Sequence, residues 1–323
     1  MIARVVLFVF VDGVGAGAAD PDVNPLARHD YLLSRFADGT GSPLPGGGRA
    51  GLADARLGVP GRPQSATGHT TILTGVNAPL RVGHHILGFP NAPLRALLQE
   101  RSIFLALRAE GCRTAFANAY PVAYLRALGY DASGEPEFAI PPRRVRPAAT
   151  TVAFGAAGGR FRTWEDARSG SALPHDITGD RARGHGGQLA HRSPEAAAEI
   201  LLGIARANDF TLFEFFETDE AGHARSMERA ADALGRVDAL LRALVAGLGP
   251  GDGLAVTSDH GNVEDLSTRN HTLNPVPVLG FGTAADAVGS IADLTGVAPW
   301  LARLAGGSGS LRPDSPADTV VGS

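Results

Sequence analysis

From Val5 to Val11 apolar residues follow one another without a polar break, the pattern of a central parallel strand covered on both faces. Similar short runs begin at Cys112 ("CRTAFAN"), Phe210 ("FTLFEFF") and Gly253 ("GLAVTS"), with a fifth at Val276 ("VPVLGFG"). Between them the spacing turns helical over 102–111, 193–208 and 226–249. Ser193 stands where an N-cap belongs, with Pro194 at the first helical position. Leu234, Val237, Leu241 and Leu244 recur as a core-facing stripe. Strands alternating with helices predict an α/β fold, a three-layer sandwich around a mostly parallel sheet.

Two stretches interrupt this alternation. The segment from Gly39, "GTGSPLPGGGRAG", reads as a loop. Residues 120–192 are rich in Gly, Pro and Arg with only short strand-like pieces such as "TTVAF", and read as a small irregular excursion that could serve as a lid. We therefore expect one domain over 1–305, with the excursion inside it and a flexible tail over 306–323.

Composition narrows the chemistry. The chain has 323 residues, 44% of them hydrophobic, and a net charge of −4, so nucleic acid is not an expected partner. All 29 basic residues are Arg. A substrate phosphate must then be held by guanidinium, metal or backbone N–H, and a catalytic lysine is excluded. The single cysteine, Cys112, cannot form an intramolecular disulfide and is expected to be buried and inert. The N-terminal apolar run passes directly into Asp12, which favours a buried strand over a secretion signal. No run approaches the roughly 18 apolar residues of a membrane span. A cytoplasmic protein without a membrane partner is the expectation.

Ligand-type residues gather where the expected strands end. Asp12 closes the first, Asp219 and His223 follow "FTLFEFF", and Asp259 and His260 follow "GLAVTS", with His271 a short loop later. The carboxyl ends of strands form the binding crevice of open α/β sheets. One helical turn would bring Asp219 and His223 to the same side. Ser65, in "GRPQSATGHTTILTG", precedes an apolar helical run. It can be a plain N-cap, or it can stand where free N–H groups and the helix dipole favour a phosphate. His69, one turn further, fits either the pocket or core packing. Asn262 and Glu264 are candidates for orienting ligands.

The segments "VDGVG", "QSATGHTTILTG", "TDEAGH" and "SDHGNVEDLSTRNHTLNPVPVLGFG" resemble the metal and nucleophile motifs of the alkaline phosphatase superfamily. The resemblance is greatest to its phosphomutase branch, cofactor-independent phosphoglycerate mutase and phosphopentomutase. It implies two divalent ions, one held by Asp219, His223 and His271, the other by Asp12, Ser65, Asp259 and His260. Ser65 would be the residue phosphorylated, and Gly261 would let the chain turn so that His271 reaches its ion. A serine hydroxyl is a poor nucleophile at neutral pH, and two ions about 4 Å apart supply the activation an in-line phosphoryl transfer needs. Mixed carboxylate and imidazole ligands suit Mn²⁺ or Zn²⁺.

The mutases carry a whole cap domain after the nucleophile segment, and residues 76–101 are too few for it. Hydrolysis of a small phosphorylated metabolite is therefore the expected outcome, with phosphate migration the alternative. A non-catalytic metal-binding protein is the alternative of another class. Any second anionic group on the substrate would be met by Arg143, Arg144, Arg146, Arg181 or Arg183.

Overall fold

In the computed structural model, which describes residues 5–34, 42–134, 136, 145–307 and 311, the first apolar run is strand β1, Val6–Val11, buried at every position. The other strands are β2 (Ser42–Pro43), β3 (Arg49–Ala53), β4 (Thr114–Phe116), β5 (Ala119–Tyr120), β6 (Arg162–Thr163), β7 (Phe210–Phe215), β8 (Gly253–Thr257) and β9 (Val276–Gly282). Among the described residues seven of them form one sheet in the order β2-β3-β9-β8-β1-β7-β4. Strands β8, β1, β7 and β4 run parallel, whereas β9, β3 and β2 join with antiparallel pairing. The mostly parallel α/β sheet expected from the alternation is present.

Helices cover both faces. They are α1 (Ser65–Thr74), α2 (Ala78–Val82), α3 (Ala92–Arg101), α4 (Ile103–Ala109), α5 (Val122–Ala127), α6 (Ala149–Ala156), α7 (Trp164–Arg168), α8 (Asp180–Gly184), α9 (Pro194–Arg206), α10 (Glu217–Ala224), α11 (Met227–Gly247) and α12 (Val297–Leu304). Alternate residues of β1 feed opposite cores. Leu7, Val9 and Val11 pack with α9 and α11, while Val6, Phe8 and Phe10 pack with residues of α1, α4, α6 and α12. Each such side chain, fully buried, contributes about 1.5–3 kcal/mol against the chain entropy. This double burial is why β1 reads as an unbroken apolar run.

The helices α4, α9 and α11 lie where helical spacing placed them. Ser102, Ser193 and Ser226 cap them through bonds from the amides of Leu105, Ala196 and Arg229. Two expectations change. The loop from Gly39 contains β2 and the start of β3, which pair with each other, and β3 pairs with β9 through backbone bonds that small residues such as Ala50 and Gly51 do not advertise. The strand-like "TTVAF" is the middle of α6, whose Val152, Ala153 and Phe154 are buried in the second core. Packing there overrides the β preference of Thr and Val. Among the described residues the stretch 120–192 thus carries four helices and, with Ala119–Tyr120, a small two-strand sheet. Cys112 is half-buried at the margin of the same core, and burial pushes its thiol pKa up.

Candidate metal centre

The sheet register brings the site together. Val11 of β1 lies beside Phe215 of β7, and Phe10 beside Thr257 of β8, so three adjacent parallel strands end on one edge. Asp12 leaves the first. Asp219 and His223 stand one turn apart on α10 after the second, and Asp259 and His260 leave the third. Gly13 (φ +72°) bends the chain after Asp12, and a Cβ there would strike Asp219.

Ser65 is the first residue of α1. Gln64 occupies the cap position without a side-chain cap bond, so the serine hydroxyl is not an N-cap. Its Oγ lies 3.0 Å from His260 Nε2. That nitrogen also lies 3.4 Å from Asp12 Oδ1 and 3.2 Å from Asp259 Oδ2. Asp12, Asp259 and His260 form one compact ligand cluster, with ligand atoms within 4.8 Å of one another. Asp219, His260 and His271 form a second by the same measure, so His260 is within reach of both rather than of one alone. Its ring stacks on His271, with centroids 3.6 Å apart.

The donor chemistry fits cations. His271 Nδ1 is 2.9 Å from the Pro63 carbonyl and His223 Nδ1 is 2.9 Å from the Arg269 carbonyl. Carbonyls only accept, so both rings carry a proton on Nδ1 and turn Nε2 inward, the atom that is free to ligate when the ring is neutral. Those Nε2 atoms stand 3.2 Å apart, and lie 3.6 Å (His271) and 3.3 Å (His223) from the Asp219 carboxylate. This grouping of ring nitrogens around a carboxylate suits a positive charge, either a metal ion or the proton that Asp219 favours on His223. Burial, then His260, pushes the His271 pKa down to about 4, which keeps its ring neutral and able to ligate. Asp219 holds His223 above its ordinary pKa.

The other cluster has the same character. Asp12 Oδ1, Asp259 Oδ2 and His69 Nε2 are buried without a hydrogen-bond partner. Burial and the neighbouring Asp259 and Asp219 drive the Asp12 carboxyl well above its usual range. Burial also acts on Asp259, but His260 and His69 outweigh it and hold its pKa down. One of two adjacent buried carboxylates is thus forced towards its neutral form, a conflict that a divalent ion removes.

Further residues position the ligands. Asn262 Nδ2 donates to Asp219 Oδ1 over 2.6 Å. Glu264 accepts from the amides of Gly15 (2.9 Å) and Asn262 (2.7 Å), from the Thr272 hydroxyl and from Asn274 Nδ2, tying the loops after β1 and β8 together. Gly261 is needed for space rather than for backbone freedom. Its φ is not in the left-handed region, but an added Cβ would meet Glu264 and Thr272. His69 satisfies both of its readings. Its ring lies edge-on to Phe10, and its Nε2 is 3.1 Å from Asp259 and 3.5 Å from Asp12.

A cavity of about 660 Å³ opens beside Ser65, Asp12 and Asp219. Its far wall comes from the 120–192 stretch, with Tyr120, Tyr124, Trp164 and His175 among the lining residues. Arg146 and Arg181 line it too. Arg181 is bound by both oxygens of Glu220 (2.7 and 3.0 Å) and lies over Phe216. Arg183 pairs with Asp180 beside it on α8 and is not part of the wall, because its side chain is engaged at the surface. Arg143 and Arg144 lie outside the described residues. Sequence reasoning missed Glu214, which also lines the cavity, although a lone charge inside "FTLFEFF" was a visible signal.

Residues 184–305 match the family model described as Metalloenzyme superfamily. The superfamily resemblance holds. A phosphopentomutase from Methylobacterium nodulans is 35% identical over 147 residues, covering 45% of this chain and 34% of that protein. A 2,3-bisphosphoglycerate-independent phosphoglycerate mutase from Cereibacter sphaeroides is 33% identical over 125 residues, 35% of this chain and 24% of that one. The alignments thus span about a third or less of these curated relatives. In fold the chain is similar to alkaline phosphatase from the Antarctic bacterium TAB5, with a TM-score of 0.55 and 13% identity over 95% of this chain and 99% of that one. The PH0037 protein from Pyrococcus horikoshii is similar too, with a TM-score of 0.52 and 15% identity over 95% and 98%. No helix among the described residues is long and apolar enough to cross a membrane.

Proposed function

We propose that this protein is a two-metal phosphoryl-transfer enzyme that acts on a small phosphorylated metabolite through a phosphoserine at Ser65. The observation that carries the reading is the convergence of Ser65 Oγ with His260, Asp12 and Asp259 at the rim of one cavity. Asp219, His223 and His271 would hold one ion, and Asp12, Asp259, His260 and Ser65 the other. Bound Mn²⁺ or Zn²⁺ would lower the hydroxyl pKa and neutralise charge on the transferring group. The chain's own part is to aim Ser65 from the start of α1, to fix the imidazoles through Pro63 and Arg269, and to wall the cavity with aromatic side chains.

Two observations favour return of the phosphoryl group to the substrate over its loss to water. The curated relatives are named mutases, and the 120–192 stretch walls the cavity in place of a separate cap domain. A mutase must keep its phosphoenzyme from water while the acceptor turns. The hydrolase reading keeps one support, the absence of a mutase-sized insertion after Ser65.

Acid quench of the Mn²⁺-loaded protein with phosphosugars or phosphoglycerates tests the reading. Phosphate trapped on Ser65 and lost in Ser65→Ala is expected. A Ser65→Ala protein with undiminished turnover would refute the serine route and point to direct attack by water. Phosphorus NMR separates the outcomes: an isomeric ester marks the mutase, and free phosphate marks the hydrolase. A protein that binds metal yet turns over no phosphoester would be the non-catalytic alternative.

A further inference from the structure

Glu214 sits inside β7, a strand otherwise apolar apart from Thr211, and is only 4% exposed. Along β7, Phe210 and Leu212 face the second core, and Glu214 continues that face to the end of the strand near the metal centre. Burying a carboxylate there is costly unless it is held and used. Both its side chain and its backbone are held. Thr150 of α6 donates its hydroxyl to Glu214 Oε2 over 2.7 Å. The Asn118 carboxamide brackets the Glu214 backbone, donating to its carbonyl and accepting from its amide, both over 2.8 Å. Asn118 and Thr150 are themselves buried. Thr150 thus fixes the carboxylate and Asn118 the backbone that carries it, and Glu214 lines the same cavity as Ser65 and His69.

We propose that Glu214 is a specificity-determining residue whose carboxylate accepts a hydrogen bond from a hydroxyl on the non-transferring part of the substrate. The proposal rests on the phosphoryl-transfer reading of the neighbouring centre. A carboxylate only accepts, so it selects phosphoesters that carry a donor and disfavours those that present a second anion at this wall. Burial pushes the carboxyl above its ordinary range, opposed by His69 and by the Thr150 bond, and a further donor to it would favour the ionised form.

The test is calorimetric binding to the Mn²⁺-loaded full chain of two probes, inorganic phosphate and a pentose 5-phosphate. Wild type should bind the hydroxylated probe more tightly. Glu214→Gln should weaken that probe roughly ten-fold and leave phosphate within about two-fold, as for loss of one charge-assisted bond. Its metal content and Tm should stay at wild-type values, because the Gln oxygen can still accept the Thr150 hydroxyl. Thr150→Val, which frees the carboxylate to move, should lose part of the same preference. Equal weakening of both probes, or no weakening of either, overturns the proposal. Acid quench on wild type reads the transfer reaction separately. Probe discrimination without phosphate on Ser65 would refute the transfer reading and leave the Glu214 contact standing.

Discussion

His69 Nε2 stands 3.1 Å from Asp259 Oδ2, buried, at an angle that makes no hydrogen bond. The nitrogen faces the space shared by Asp12 and Asp259 rather than either oxygen alone. Replacing His69 by Phe keeps a ring against Phe10 and removes only the polar atom. The expected result is a folded protein with metal affinity lower by about 10–100-fold, as when a group supporting metal ligands is lost. Metal titration of the purified variant checks it, and unchanged affinity would reduce His69 to packing.

Removing metal should cost stability. The clustered carboxylates and lone pairs around Asp12, Asp219, Asp259 and His271 repel one another without a cation. A ligand at 100 times its Kd adds about 2.7 kcal/mol, so chelation should lower Tm on the order of 5 °C. Thermal melts with and without chelator, followed by Mn²⁺ add-back, measure this. A Tm indifferent to chelator would contradict the cation-binding account.

Gly261→Ala tests the close packing behind the centre. Its Cβ would meet the Glu264 carboxylate and the Thr272 hydroxyl, both already engaged with each other. Forcing that contact apart should cost about 1–3 kcal/mol and move the loop that carries His271. A variant with wild-type Tm and metal content would show that the loop yields freely.

Much of this centre was legible because its logic is local. Each ligand follows an apolar run, and parallel pairing aligns the ends of such runs whatever lies between them. The position of Ser65 at the start of α1 was equally readable, although its freedom from capping depends on Gln64 and needed coordinates. What escaped depended on partners distant in sequence. Strand β3 exists through its pairing with β9, and α6 is helical through burial against other helices. The bond between Thr150 and Glu214 spans 64 residues, and no spacing rule links them.

Asp209 offers a pH-dependent test away from the metals. Its carboxylate receives the Arg113 amide over 2.7 Å and the guanidinium over 3.0–3.2 Å, joining the starts of β4 and β7. Arg113 holds the carboxyl below its usual pKa, against the opposing effect of burial. A depressed carboxyl pKa gives stability that is complete above the unfolded value and lost as pH falls through the folded one. Asp209→Asn should therefore lower Tm slightly at pH 7. The gap to wild type should close as pH falls below the ordinary aspartate range, and it should shrink in high salt because the pair is exposed. A gap constant from pH 7 to pH 3 would mean the bond to the Arg113 amide matters and the charge does not.

Arg146 and Arg181 both reach the cavity, but their charges are not equally available. Arg181 is exposed but is bound by both oxygens of Glu220, lies 3.6 Å from Glu217 and stacks on Phe216, so its guanidinium is already paired. These contacts join α8 to α10, the helix that carries Asp219 and His223. Arg146 instead lies over the half-exposed ring of Phe89 at the cavity wall, 5.8 Å from its centroid. An anionic group on a substrate should therefore meet Arg146. Arg146→Gln is expected to raise KM about ten-fold with kcat held, the mark of lost binding that is uniform between ground and transition states. Arg181→Gln should act differently, lowering Tm and metal affinity together because α10 loses its tie to α8. Steady-state kinetics beside metal titration separate the two effects. The assignment fails if Arg181→Gln alone raises KM at full metal occupancy, since Glu220 would then be a counterion that gives way to substrate.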